Sequence, residues 1–92
     1  MQIKSTSRFN HAYNKLPRKI KNLFMDKMHQ FNEDWRHPSF KVKRVQGTDN
    51  IWEGSLNMSI QFTFEWVKDK HGQGICLMRN IGDHEHCLRP LY

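Results

Sequence analysis

Between Phe40 and Phe64 the chain alternates apolar and polar positions with a period of two, the pattern of strands with one buried face. Over Phe40–Val45, Phe40 and Val42 fall on one face and Lys41 and Lys43 on the other. The run 47–50, Gly-Thr-Asp-Asn, is a turn cluster. A second strand over Ile51–Leu56 sets Trp52 and Leu56 against Glu53 and Ser55. After the reversal at 57–59, Ile60, Phe62 and Phe64 alternate with Gln61 and Thr63. These three strands in series predict an antiparallel sheet with an apolar face that needs covering and a polar, cation-rich face.

The period changes to that of a helix upstream. Phe9, Ala12, Tyr13 and Leu16 predict a first helix over Ser7–Lys15, with cap oxygens available at 5–7. Pro17 ends that helix or opens the next. Ile20, Leu23, Phe24, Met28 and Phe31 form an apolar stripe over Arg18–Glu33, as expected for a helix packed on a sheet. Pro38 disfavours helix at His37, so residues 34–39 read as a loop. A polar hairpin loop at 68–74 precedes a further strand over Ile75–Ile81, and residues 82–87 form a closing turn or short helix. Residues 88–92 read as a tail, and Met1–Lys4 as a possible edge strand. The predicted class is α+β: two N-terminal helices on one face of a twisted, mostly antiparallel sheet of about four strands, in one domain spanning 1–92.

Composition narrows the function classes. The 92 residues give one small core, and a hydrophobic share of 37% suits a folded domain rather than a disordered tail. No apolar run reaches the roughly 18 residues of a membrane span, and no apolar signal segment follows Met1. The expected location is therefore the cytoplasm. Cys76 and Cys87 do not frame a disulfide scaffold. The net charge of +6 is concentrated: residues 1–48 hold eleven Lys/Arg against three Asp/Glu, and residues 49–92 hold four against six. The first half is thus a candidate surface for phosphate or for an acidic protein, the ordinary alternative being a small basic protein whose charge only keeps it in solution.

Two places carry candidate chemistry. The run Asp83-His84-Glu85-His86-Cys87 has metal-ligand residue types, but its spacing completes no standard zinc module. A histidine there can exchange a proton near neutral pH; the ordinary alternative is a solvent-exposed turn. The polar sheet face is the second place. Lys41, Lys43, Ser55, Gln61 and Thr63 point to it, and Arg44 and Arg79 are further candidates for holding a phosphodiester and offsetting transition-state charge. The alternative is a solvated face with lysines protecting an edge.

The segment HPSFKVKRVQGTDNIWEGSLNMSIQFTFE, at 37–65, followed by RNIGDH at 79–84, resembles the RelE/ParE superfamily of bacterial type II toxins. It is similar to the branch with an HPSLKVKKLKG-type segment, a WE strand, a YRFTFE-type strand and a terminal RNIGTHD turn. The resemblance covers about residues 1–86, including the helix pair with its Leu16-Pro17 joint. The motifs are short; their order and spacing give the likeness its weight.

The resemblance implies a ribosome-dependent mRNA endonuclease, neutralised by a cognate acidic antitoxin in a toxin–antitoxin hetero-oligomer, with no metal or other cofactor and no membrane. It places the terminal histidine of RelE- and YafQ-like relatives on His84, as acid or base. Arg79 is implied for transition-state charge, and His37 lies in a loop where some relatives carry another catalytic histidine. Lys41, Lys43, Arg44, Arg36 and Ser55 are the implied RNA-binding residues. Gln61 departs from the pattern, standing where relatives carry an arginine that contacts the scissile phosphate, and Ser55 stands where an arginine or histidine is common. Glutamine lacks the charge for that task, which implies altered chemistry or an attenuated toxin. Two alternatives stay open: a ParE-like gyrase inhibitor, and an inactive module that binds antitoxin or nucleic acid.

Overall fold

The structure is a computed structural model and describes residues 2–88. A five-stranded sheet carries three helices. Its strands are β1 (Gln2–Ser5), β2 (Lys43–Arg44), β3 (Ile51–Ser55), β4 (Ile60–Lys68) and β5 (Gly74–Asp83), in the order β1-β5-β4-β3-β2. β2 through β5 run antiparallel as a meander, and β1 joins β5 in parallel at the edge. The α+β class is as expected; the added strand is the N-terminal segment. That segment is parallel because two helices separate it from the meander and return the chain to the other end of the sheet.

Helix α1 (Ser7–Asn14) starts where Thr6 caps it: Thr6 Oγ1 accepts from the Phe9 amide at 3.1 Å and donates to the Arg79 carbonyl at 3.2 Å. One hydroxyl thus fixes both the helix start and its position on β5. Pro17 breaks the run, and its carbonyl accepts the amides of Ile20 and Lys21 to start α2 (Arg18–Glu33). The apolar stripe of α2 buries Phe24, Met28 and Phe31 against Phe62 and Phe64 of β4 and Cys76, Met78 and Ile81 of β5. Ring contacts bind this layer together: Phe31 meets Phe40, Phe62 and Phe64 edge-on at centroid distances of 5.2, 5.5 and 5.4 Å.

Gly54 has a packing role. It lies opposite Phe62 across β3 and β4, and the Phe62 ring occupies the space its side chain would fill. Arg79 is the extra residue of a β-bulge: Thr63 pairs with Asn80 and Phe64 with Met78, with Arg79 between them on β5.

The first strand of the expected meander is shorter than its alternation implies. Pro38–Phe40 form a 3₁₀ turn, Lys41 takes a left-handed conformation at φ 48°, and only Lys43–Arg44 pair as a strand. The proline sets the turn, and His37 Nδ1 accepts the Ser39 amide at 3.1 Å to cap it. Phe40 is driven under Phe31 and is 1% exposed, so the inward positions survive although the backbone is not extended. The tail expected at 88–92 lies, beyond Leu88, outside the described residues. Among the described residues no helix is long and apolar enough to cross a membrane.

Candidate active site

α1 and α2 cover one face of the sheet, and the short helix α3 (His84–Cys87) folds over part of the other. α3 is tied down at three points. Asp83 caps it, its Oδ1 accepting the His86 amide at 2.8 Å and lying 2.7 Å from His86 Nδ1. These bonds hold the Asp83 carboxyl below its usual range, the backbone amide first and the imidazole next. The buried Asn80 amide donates to the His86 carbonyl at 3.4 Å. Cys87 is buried over β4 with its thiol facing Thr63, and desolvation pushes that thiol up to about 12. Thr63 was expected on the open polar face; α3 covers it, and its hydroxyl makes no hydrogen bond of full geometry.

This anchoring presents His84 to solvent at the end of β5. The two strands place Gln61 opposite Gly82, two residues before His84. Gln61 Oε1 lies 3.0 Å from His84 Nδ1. With the amide oxygen as acceptor, Nδ1 carries a hydrogen and Nε2 is left to exchange a proton. The two residues singled out most strongly from sequence are therefore direct partners.

Beside them the open face forms two adjoining clefts. One, of about 520 Å³, is lined by Lys43, Arg44, Glu53 and His84 among others. The other, of about 250 Å³, is lined by Lys41, Lys43, Glu53, Ser55, Asn57, Met58 and Gln61. They share Lys43 and Glu53, so together they make one trough from Lys41 to His84. Ser55 is opposite Gln61 on the neighbouring strand and forms part of the same wall.

Four of the expected site residues lie elsewhere or are engaged otherwise. Arg79 donates to Glu65 Oε1 at 2.7 Å. Glu65 is four residues along β4 from Gln61, roughly 13 Å of strand, because the bulge turns Arg79 toward that neighbour. Arg36 stacks 4.8 Å over the Trp35 ring, which packs on Trp66 at the helix-side rim. Arg44 lines the larger cleft, but its guanidinium lies 5.8 Å over Trp52, its register partner on the helix-covered face. His37 is spent on capping the 3₁₀ turn and lines neither cleft. In each case a local aromatic, carboxylate or amide competes for the side chain, and sequence order does not reveal that competition.

Glu53 was placed on the polar face but not in the site. It is 8% exposed, lies opposite both Lys43 and Thr63, and its Oε1 is 3.5 Å from Lys43 Nζ. The available signal was an acid at an outward position of an otherwise cationic face. As for metal, among the described residues no three His, Cys, Asp or Glu side chains gather closely enough to hold an ion. His86 is committed to Asp83, and Cys87, the last residue of α3, is buried against the sheet.

The fold has close counterparts among solved structures. A YoeB/ParE toxin from Agrobacterium tumefaciens superposes with a TM-score of 0.71, covering 91% of this chain and 99% of that one at 10% identity. The chain has the RelE/ParE toxin fold. YafQ from E. coli strain BL21(DE3) superposes at 0.70, with 11% identity over 92% of this chain and 94% of that one. A chain of the intact E. coli RelBE toxin–antitoxin complex gives 0.65, with 13% identity over 89% and 94%. No family model and no curated protein matches the sequence. The RelE/ParE architecture thus persists at identities where the sequence as a whole carries little signal.

Proposed function

We propose that the chain is the toxin of a type II toxin–antitoxin pair and cleaves mRNA on the ribosome in the trough ending at His84. The observation that carries this reading is the His84–Gln61 pair at the mouth of a lysine-lined cleft on the uncovered sheet face. Lys41 and Lys43 hold the RNA backbone by charge, and Ser55 adds a hydroxyl beside Gln61. The ribose 2′-oxygen attacks the adjacent phosphorus, and the bond to the 5′-oxygen breaks. His84 exchanges a proton in this step.

Gln61 holds the imidazole but adds no charge at the phosphate, so the activity is weak compared with a chain carrying arginine there. Neutralisation falls to an acidic partner protein attracted to the basic first half, and both act in the cytoplasm. The test is induced expression followed by mapping of RNA ends. Discrete cuts within translated codons, lost in His84→Ala and strengthened in Gln61→Arg, are the expected result. Cuts that persist unchanged in His84→Ala refute the role of that residue.

A second reading rests on Gln61 itself: a toxin-fold module that binds without cutting. It predicts tight antitoxin or RNA binding, intact mRNA, and no gain on Gln61→Arg. Inhibited DNA supercoiling with intact mRNA supports the gyrase alternative instead.

A further inference from the structure

Met58 is the one large apolar side chain among the described residues that is fully exposed; Met25 on α2 is the next, at 56%. Met58 sits in the reversal between β3 and β4, where a polar residue is the ordinary choice. The reversal is tightly bonded. Asn57 Oδ1 accepts the amides of Ser59 and Ile60 at 2.8 and 2.7 Å, and the Ile60 carbonyl accepts those of Leu56 and Asn57 at 2.8 and 3.3 Å. Four bonds around one residue hold Met58 out in water with its apolar surface uncovered, a costly use of a thioether unless something lands on it.

Its surroundings indicate what does. Met58 lines the smaller cleft with Lys41, Lys43, Ser55 and Gln61. In the cleavage reading that cleft holds the phosphates, and Gln61 holds the imidazole that works at the cut bond. Met58 is three residues from Gln61, at most about 11 Å of chain. A single strand whose phosphates face the lysines carries its bases on the other side of each ribose, away from the cations. A base next to the cut then meets a polarizable thioether, a surface suited to the face of an aromatic ring. Nucleic acid is favoured over a protein segment because the same wall offers cations, a hydroxyl and an amide, the partners of a sugar–phosphate chain.

We propose that Met58 is a base-stacking residue of this site and sets which nucleotides beside the cut are favoured, an assignment that rests on the RNA-cleavage reading. The end of its side chain lies on the face of one unstacked base next to the cleaved bond. The contact reads ring area rather than edge donors and acceptors, since methionine offers only a weakly accepting sulfur. A larger ring is held better than a smaller one, and a nucleotide without a base is held worst. Met58 moves no proton, so its effect falls on binding and on the choice of cut site more than on the maximal rate.

The test is single-turnover cleavage on programmed ribosomes by the full chain, with mRNA carrying a normal or an abasic ribose at each nucleotide next to the cut. Met58→Ala should raise the half-saturating concentration about 2–10-fold, the range of a sulfur–ring contact, with a much smaller effect on the maximal rate, and should even out the choice among cut sites. Removing the one base that Met58 meets should cost the wild-type chain a similar factor and cost Met58→Ala nothing further. Met58→Leu keeps the apolar surface and should recover most of the binding. Met25→Ala, on α2 and lining neither cleft, should change none of these. A Met58→Ala chain with the parent's half-saturation and cut sites overturns the assignment, as does an abasic position that costs both proteins equally. If Met58→Ala cuts as the parent does and instead escapes neutralisation by the antitoxin, the side chain belongs to a protein interface and the assignment is wrong. A wild-type chain that never cuts RNA sinks the cleavage reading itself and the assignment with it. Cutting that is unaffected by Met58→Ala sinks the assignment alone.

Discussion

Adding one methyl group at Gly54 tests the account of the core directly. A Cβ built there lies 2.5 Å from Phe62 Cζ and 2.9 Å from Cε2, inside any tolerable carbon–carbon distance. The ring has nowhere to go. Phe62 is fully buried, with Phe31 and Phe24 edge-on at 5.5 and 6.2 Å and Phe64 at 5.9 Å. Relieving the clash therefore moves the ring off its rotamer or shifts β3, at a cost of about 1–3 kcal/mol for overpacking. Against this, replacing glycine with alanine restricts the unfolded chain and returns about 0.4–1 kcal/mol. The net expectation for Gly54→Ala is a loss of about 1–2 kcal/mol, or a fall of roughly 5–15 °C in Tm for a domain of this size.

Urea titration with thermal melts measures both quantities. Gly74→Ala is the control, since a Cβ there meets nothing within 4 Å, and it should be neutral or slightly stabilising. Trimming the ring in Gly54→Ala/Phe62→Leu should cost less than the two single changes added together, because the pair shares one space. A Gly54→Ala protein as stable as the parent refutes the packing, and with it the reason for glycine on this strand.

Other consequences follow for the trough and for α3. If Lys41 and Lys43 each contact one phosphate, Lys41→Gln and Lys43→Gln each reduce the salt dependence of RNA binding by about 0.7 in log–log slope; an unchanged slope places the RNA elsewhere. The Asp83 carboxyl is depressed in the fold by the His86 amide and imidazole, so its contribution to holding α3 is complete above the unfolded value of 3.8 and lost as pH falls through the lower folded value. The amide resonances of His84–Cys87 should shift together on acidification below that point, and Asp83→Asn should remove the transition; a pH-independent α3 in the parent would contradict the capping. Burial raises both Cys76 and Cys87 to about 12, so the neutral thiols favour the fold and stability declines as pH rises above 9, the unfolded value. Neither thiol should react with iodoacetamide at neutral pH until the chain opens, and Cys87 should react first because α3 is the smaller unit; rapid labelling of both in the native state counts against the burial.

The sequence determined the two long helices and the longer strands and which side of each faces inward, though not the 3₁₀ turn that takes the place of the first strand's start, because periodicity depends on local geometry and on which residues leave water. The helix over Arg18–Glu33 is legible from its five stripe residues, and the inward face of Ile60–Lys68 from the alternation of Ile60, Phe62 and Phe64 with Gln61 and Thr63. Glycine, proline and the cap at Thr6 mark the breaks. The candidate histidine was legible as well, through a short terminal motif in the right place.

Tertiary structure alone decided which polar side chains meet. That His84 touches Gln61 follows from strand register and a short helix folding back, separated by 23 residues of chain. That Arg79 serves Glu65, Arg36 serves Trp35 and Thr63 is covered by Cys87 follows from a bulge, a ring and a covering turn. Glu53 became part of the site only once β2 and β4 were laid on either side of it. Burial of apolar residues is a nearly one-body preference that a pattern can express, whereas the pairing of charges depends on distances between residues far apart in the chain, and those exist only after folding.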